Sequence, residues 1–326
     1  MKNLKKLLAV VLMVVMALQI AACGSSEGES DSAPATEDAQ DESADSEEKT
    51  ASSGESKGVI AYSCYNMSWE YYVTLAQGVK EAAEEAGYEY VEHDQQSDQS
   101  LMIQGCTDLL NQDIACLVLT PCKPEATASI YELAEEKGIP VILVDISTEA
   151  TGYLACLKSD NYDGGVLAGN YVLDNLTDAQ SKKAAMITVD PSNTNIAAEL
   201  SGQSEPDIAY SCMQDIITAN PDVEVVFCSN DPMAISASQA IADAGLTPGE
   251  DVKVLGYDAQ SNVFEPIKNG TVLGTVAQDP YGMGSGAVDC FLKNLNGEEL
   301  TYDDEETKII YTDQWIIDAN NVEEYE

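Results

Sequence analysis

The chain has 326 residues, 44% hydrophobic and 22% charged, the proportions of a globular protein with one or two domains and ample material for a core. Fifty-seven acidic residues against fifteen basic ones give a formal net charge of −42. That charge repels phosphate backbones and anionic lipid surfaces, so nucleic-acid binding and charge-driven membrane docking are excluded, while solubility and repulsion between copies remain.

Residues 1–23 have the three parts of an export signal. Lys2, Lys5 and Lys6 precede an apolar run from Leu7 to Leu18, and small residues then lead to a cysteine. The ending Ile20-Ala21-Ala22-Cys23 is similar to the bacterial lipobox, which implies that Cys23 becomes the first mature residue and carries lipid. A plain signal peptide or a single membrane anchor is the alternative, although the run is short for a spanning helix. Residues 24–56 hold Ser, Glu, Asp, Ala and Gly with no large apolar residue. Such a stretch cannot offset its ordering entropy and reads as a disordered, self-repelling acidic tether; an acidic interaction tail is the alternative.

From Lys57 onward short β-compatible runs alternate with helical periodicity. GVIAYSCY (58–65) predicts a strand. Tyr72, Leu75, Ala76, Val79, Ala82, Ala83 and Ala86 recur near helical spacing, with Gly87 as a stop. Strand 88–94, helix 98–111, strand 114–121, helix 125–137 closed by Gly138, and strands 139–145 and 152–160 follow. The second half repeats the scheme: helix 163–175, strand 184–190, helix 207–219, strand 223–231, helix 233–244, strands 253–258 and 271–279, helix 281–295, and a last strand over 308–317. Strands rich in Val, Ile and Leu between amphipathic helices predict parallel sheets covered on both faces, here in two similar doubly wound α/β lobes.

Polar residues cluster at the strand ends: Asp145 after PVILV, Asn230 and Asp231 after VVFCS, Asp258 after VLGY, and Gln278 after TVA. In parallel sheets that edge faces the ligand crevice, and acids and amides there complement hydroxyls that both donate and accept. Helix capping is the competing role, and Asp231, followed by Pro232, is expected to be a cap.

In this order and spacing NMSWEYYVTLAQGVKEAAEEAG, LVLTP, IPVILVD, SDNYDGGVLAGNYV, QDIITANPDVEVVFCSNDPMAI, VLGYDAQ and GTVAQDPYGMG resemble the ribose-binding-protein-like substrate-binding lipoproteins of sugar ABC transporters, which have the type I periplasmic binding fold. The resemblance spans nearly the whole mature region. It implies a monomer that captures a small polar ligand, in all expectation a monosaccharide, between two lobes and delivers it to the permease of an ABC importer. The protein would be held by its lipid at the outer face of the bacterial cell membrane. It implies an N-terminal lobe of residues 57–159 plus 280–306 and a C-terminal lobe of 160–279 plus 307–326, joined by a multi-strand hinge. It places Tyr71 and Tyr72 as an aromatic pair against the sugar ring, Trp69 where a polar residue is common, and Asp145, Asn230, Asp258 and Gln278 on binding positions. At least one of the three rings is expected to face the core, and residues 159–161 to be hinge. The same fold also presents ligands to membrane receptors or kinases, the alternative function.

Two departures from the family stand out. Ile146 replaces an arginine that follows the first-lobe aspartate in relatives, and a second arginine, expected just after Ala198, is absent. Between strand 184–190 and helix 207–219 only residues 191–206 intervene, where the family has a helix and a further strand. The second lobe is therefore expected to lack a helix and most of an edge strand, leaving a shortened edge and an uncovered apolar strip.

No cofactor, metal or enzymatic activity is expected. His93 is the only histidine, there is no GxSxG or Walker loop, and Gly282, Gly284 and Gly286 do not form a dinucleotide fingerprint. Glycoside hydrolysis by paired acids has nothing but acid abundance behind it. Cys64, Cys106, Cys116, Cys122, Cys156, Cys212, Cys228 and Cys290 mostly sit in apolar runs without CxxC spacing, so buried thiols are expected.

Overall fold

A computed structural model describes residues 56–175, 183–188 and 197–325. The export signal, Cys23 and the acidic tether lie outside the described residues, as do most residues where the missing helix was expected.

Two six-stranded sheets organise the molecule. The first holds β1 (Val59–Cys64), β2 (Glu89–Asp94), β3 (Ile114–Leu119), β4 (Val141–Val144), β5 (Ala155–Ser159) and β11 (Ile309–Thr312), in the spatial order β11-β5-β4-β3-β1-β2. The second holds β6 (Lys183–Thr188), β7 (Ala198–Ser201), β8 (Val223–Cys228), β9 (Lys253–Asp258), β10 (Gly274–Ala277) and β12 (Trp315–Asp318), in the order β12-β10-β9-β8-β6-β7. Counted from the β5 and β10 sides, the two orders follow the same path out to the edge. Every pairing is parallel except β10 with β12.

Helices cover both faces of the first sheet because its strands are apolar on both. Within β1, Ile60, Tyr62 and Cys64 point into one core with α1 (Glu70–Glu85) and α8 (Pro280–Leu295). Ala61, one residue out of phase, joins the opposite core with α2 (Gln99–Leu110) and α3 (Ala128–Lys137). The α1–α8 crossing is unusually close: a Cβ on Gly78 would strike the Tyr281 carbonyl, and one on Gly284 the Leu75 carbonyl. The glycines of GMGSG thus include one that lets two backbones approach.

In the second lobe α5 (Pro206–Ala219), α6 (Asp231–Asp243) and α7 (Phe264–Lys268) cover one face. On the other, α4 (Asn161–Asn175) packs Ala168 against Leu255, Tyr257 and Val276. The edge strand β7 has four residues, all paired with β6 from Ala185↔Ala198 to Thr188↔Ser201. An edge strand is therefore present, and short. On the α4 face, Met186 of β6 and Phe227 of β8 are half-buried and line a cavity.

One expectation is corrected. The apolar run 308–317 is not one strand: β11 pairs with β5 in the first sheet, whereas β12 pairs with β10 in the second. The last crossing therefore lies at Asp313 and Gln314, not at 306/307. A continuous apolar run does not reveal a turn when both halves are needed as sheet edges. The other crossings follow β5, at Asp160, and β10, at Gln278 and Asp279. Of the eight described cysteines all are free; seven are buried and Cys212 is half-buried.

Candidate functional site

All seven residues expected at the site line a single cavity of ≈ 850 Å³ at the strand tips. Trp69, Tyr71 and Tyr72 come from the first turn of α1, Asp145 from the end of β4, Asn230 from beyond β8, Asp258 from the end of β9 and Gln278 from beyond β10. Five connections that follow parallel strands thus contribute to one concavity, because in parallel sheets every carboxyl end lies along the same edge.

The aromatic wall is a stack. Trp69 and Tyr72 lie with ring centroids 5.9 Å apart and 22° between planes, and Tyr65, beyond the end of β1, stacks on both at 5.3 and 5.4 Å. Tyr71 meets Tyr72 edge-on. Tyr71 and Tyr72 both pack into the α1–α8 core, while Trp69 keeps 38% of its surface exposed. Two of the three rings therefore have core duties besides lining the cavity.

Asp145 is anchored by that wall: its two carboxylate oxygens accept from the Tyr71 hydroxyl at 3.1 Å and the Tyr72 hydroxyl at 3.0 Å. Burial pushes its carboxyl up, against the lowering effect of the two tyrosines. Asp258 accepts from the Gln278 amide at 2.7 Å and the Gln260 amide at 3.5 Å. Burial raises its carboxyl to about 7; Gln278 lowers it and the charge of Asp145 raises it. Both aspartates have positive φ, 67° and 96°, a conformation that costs energy in any residue with a side chain and recurs at ligand sites.

The capping role expected of Asp231 falls to Asn230. β8 stops at Cys228, so Asn230 becomes the N-cap of α6, its side-chain oxygen accepting from the Met233 N–H at 2.9 Å. Asp231 falls one residue inside the helix and is wholly buried, accepting from the Gln260 N–H at 2.7 Å. Burial, then the nearby charge of Asp258, holds its carboxyl well above the usual range. Asn230 caps the helix and lines the cavity at once.

Several residues were not found from sequence. Asn161, expected as hinge, also lines the cavity and accepts from the Tyr257 hydroxyl at 3.3 Å. That hydroxyl in turn accepts from the Gln314 amide, so one phenol ties two of the three crossings. Glu70 reaches across to the other lobe, where its carboxylate accepts from the Ser261 N–H at 3.0 Å and the Ser261 hydroxyl at 2.9 Å. Met186, Phe227 and Tyr257 had only the strand alternation of the second sheet as a signal. His93 lies elsewhere: it bonds Ser63 at 3.1 Å and abuts Gly105 of α2, with burial lowering its pKa. Among the described residues no group of three His, Cys, Asp or Glu side chains could hold a metal, and no helix is long and apolar enough to cross a membrane.

Comparison with known proteins agrees with this architecture. The chain is 27% identical over 260 residues to the ribose import binding protein of Salmonella typhimurium, covering 75% of this chain and 87% of the relative. It is 25% identical over 268 residues to the ribose import binding protein of Bacillus subtilis, covering 77% and 87%. A solved periplasmic solute-binding protein of an ABC transporter from Actinobacillus succinogenes, with D-allose bound, superposes with a TM-score of 0.73 at 24% identity, over 82% of this chain and all of the other. The family described as periplasmic binding protein domain matches residues 60–299, and with that match over most of the chain the protein belongs to this family.

Proposed function

We infer that this chain is an extracytoplasmic solute-binding protein that captures a monosaccharide between its lobes and delivers it, without chemical turnover, to an ABC importer. The observation that carries the reading is the convergence of seven residues, from five connections, on one cavity faced with stacked rings and carboxylates. Such a cavity suits a sugar: the C–H faces of the ring pack on Trp69 and Tyr72, while hydroxyls at its rim meet Asp145, Asn230, Asp258 and Gln278. The three crossings at Asp160, Gln278–Asp279 and Asp313–Gln314 would serve as the hinge, with the N-terminal lobe taking in β11. Cys23 would carry the lipid that keeps a monomeric protein beside its permease.

The test is a thermal-shift screen of the full chain against pentoses and hexoses. A ligand at a hundred times its Kd stabilises the folded form by about 2.7 kcal/mol, a shift of several degrees. A folded protein that no sugar shifts would remove the substrate class. For the anchor, Cys23→Ala should release the protein from cells into the medium; retention on the membrane would count against lipidation.

A further inference from the structure

The charge of the cavity narrows the ligand further. Among the described residues its lining includes four carboxylates, those of Glu70, Asp145, Glu205 and Asp258, and no Lys, Arg or His. The chain contains no arginine at all. Asp145 and Asp258 stand on opposite lobes, and each is hydrogen-bonded only by neutral groups: two phenols for one, two amides for the other. Lys158 on β5 is the cation that acts on Asp145, but its ammonium lies 3.5 Å from the Ser147 hydroxyl and does not line the cavity. Glu70 is engaged with Ser261, and Asp231 lies buried behind Asp258. Anionic side chains withdrawn from water without a counter-charge are costly, and a neutral ligand leaves that cost standing. The aromatic wall is equally suited to a cation, since ring faces are negative.

We propose that the ligand of this cleft is a positively charged sugar, an amino sugar or another polyol bearing a protonated amine, whose ammonium sits between Asp145 and Asp258 while its ring lies on the Trp69–Tyr72 face. This rests on the sugar-capture reading and specifies it. Charge-assisted bonds to two carboxylates replace bonds to hydroxyls, and they are the stronger kind. The ammonium also displaces the proton that burial holds on Asp258 near neutral pH. Affinity for the cation therefore falls as pH drops through about 7.

The experiment is isothermal titration of the full chain at pH 7.5 with D-glucosamine, D-galactosamine and D-mannosamine, each paired with its neutral parent hexose. At least one amine should bind about tenfold more tightly than its parent, and more weakly at pH 6 than at pH 7.5. Asp258→Asn should reduce that preference to within about twofold; should this variant be unfolded by circular dichroism, Asp145→Asn is measured in its place. A neutral parent that binds as well as or better than its amine in every pair overturns the charge assignment and leaves sugar capture intact. Absence of binding by all six overturns this proposal, and the capture reading falls with it when no pentose in the thermal-shift screen binds either.

Discussion

Replacing Asp258 by asparagine should stabilise the empty protein at alkaline pH. The Asp258 carboxyl moves from an ordinary 3.8 to about 7 on folding, chiefly through burial. Between those values the folded form holds a proton that the unfolded form has released, so stability falls as pH rises through that window. At about 1.4 kcal/mol per pKa unit, the three-unit shift corresponds to a penalty of at most about 4 kcal/mol above pH 7. Below the unfolded value both forms are protonated and the penalty vanishes. Asparagine keeps an oxygen for the Gln278 amide, 2.7 Å away, and carries no charge to desolvate. Urea unfolding followed by circular dichroism at pH 4, 6 and 8 should show Asp258→Asn about 2–4 kcal/mol more stable than wild type at pH 8 and level with it at pH 4. A variant equally stable or weaker at pH 8 refutes the reasoning, because the carboxyl would then be solvated or matched by a charge.

Gly284→Ala places a methyl group against the Leu75 carbonyl where α1 and α8 cross. Overpacking there should cost about 1–3 kcal/mol, more than alanine gains in helix propensity, measured as a lowered midpoint in urea; an unchanged midpoint would mean that the helices separate freely. Glu70→Ala removes both bonds to Ser261 that join the lobes. The arrangement with the lobes bridged should be less populated and the apparent Kd of any bound sugar should rise about three- to tenfold, mostly through faster release; an unchanged Kd would show that this contact does not hold the lobes together.

Much of the site was legible before any fold was known. Asp145, Asn230, Asp258 and Gln278 each end an apolar run, and in a parallel sheet that position carries its own address at the carboxyl edge. Capping was harder to read. Asn230 and Asp231 are both good caps, and which one caps depends on β8 stopping at Cys228, a boundary that propensity resolves only to within a few residues. The run 308–317 misled for a related reason, since two sheet edges require apolar residues just as one longer strand does.

Local pattern by itself determined the alternating strands and helices, the two-lobe plan, the polar strand tips and the acidity of the chain. These follow from periodicities of two and 3.6 residues and from composition, which are written along the backbone. Only the tertiary structure decided that Asp145 and Asp258 face one cavity that no Lys, Arg or His among the described residues lines, that Glu70 meets Ser261 191 positions away, and that the Tyr257 hydroxyl links two crossings. Those are contacts between segments remote in the chain, set by how the sheets pack, and no short stretch of sequence encodes a partner that another lobe supplies.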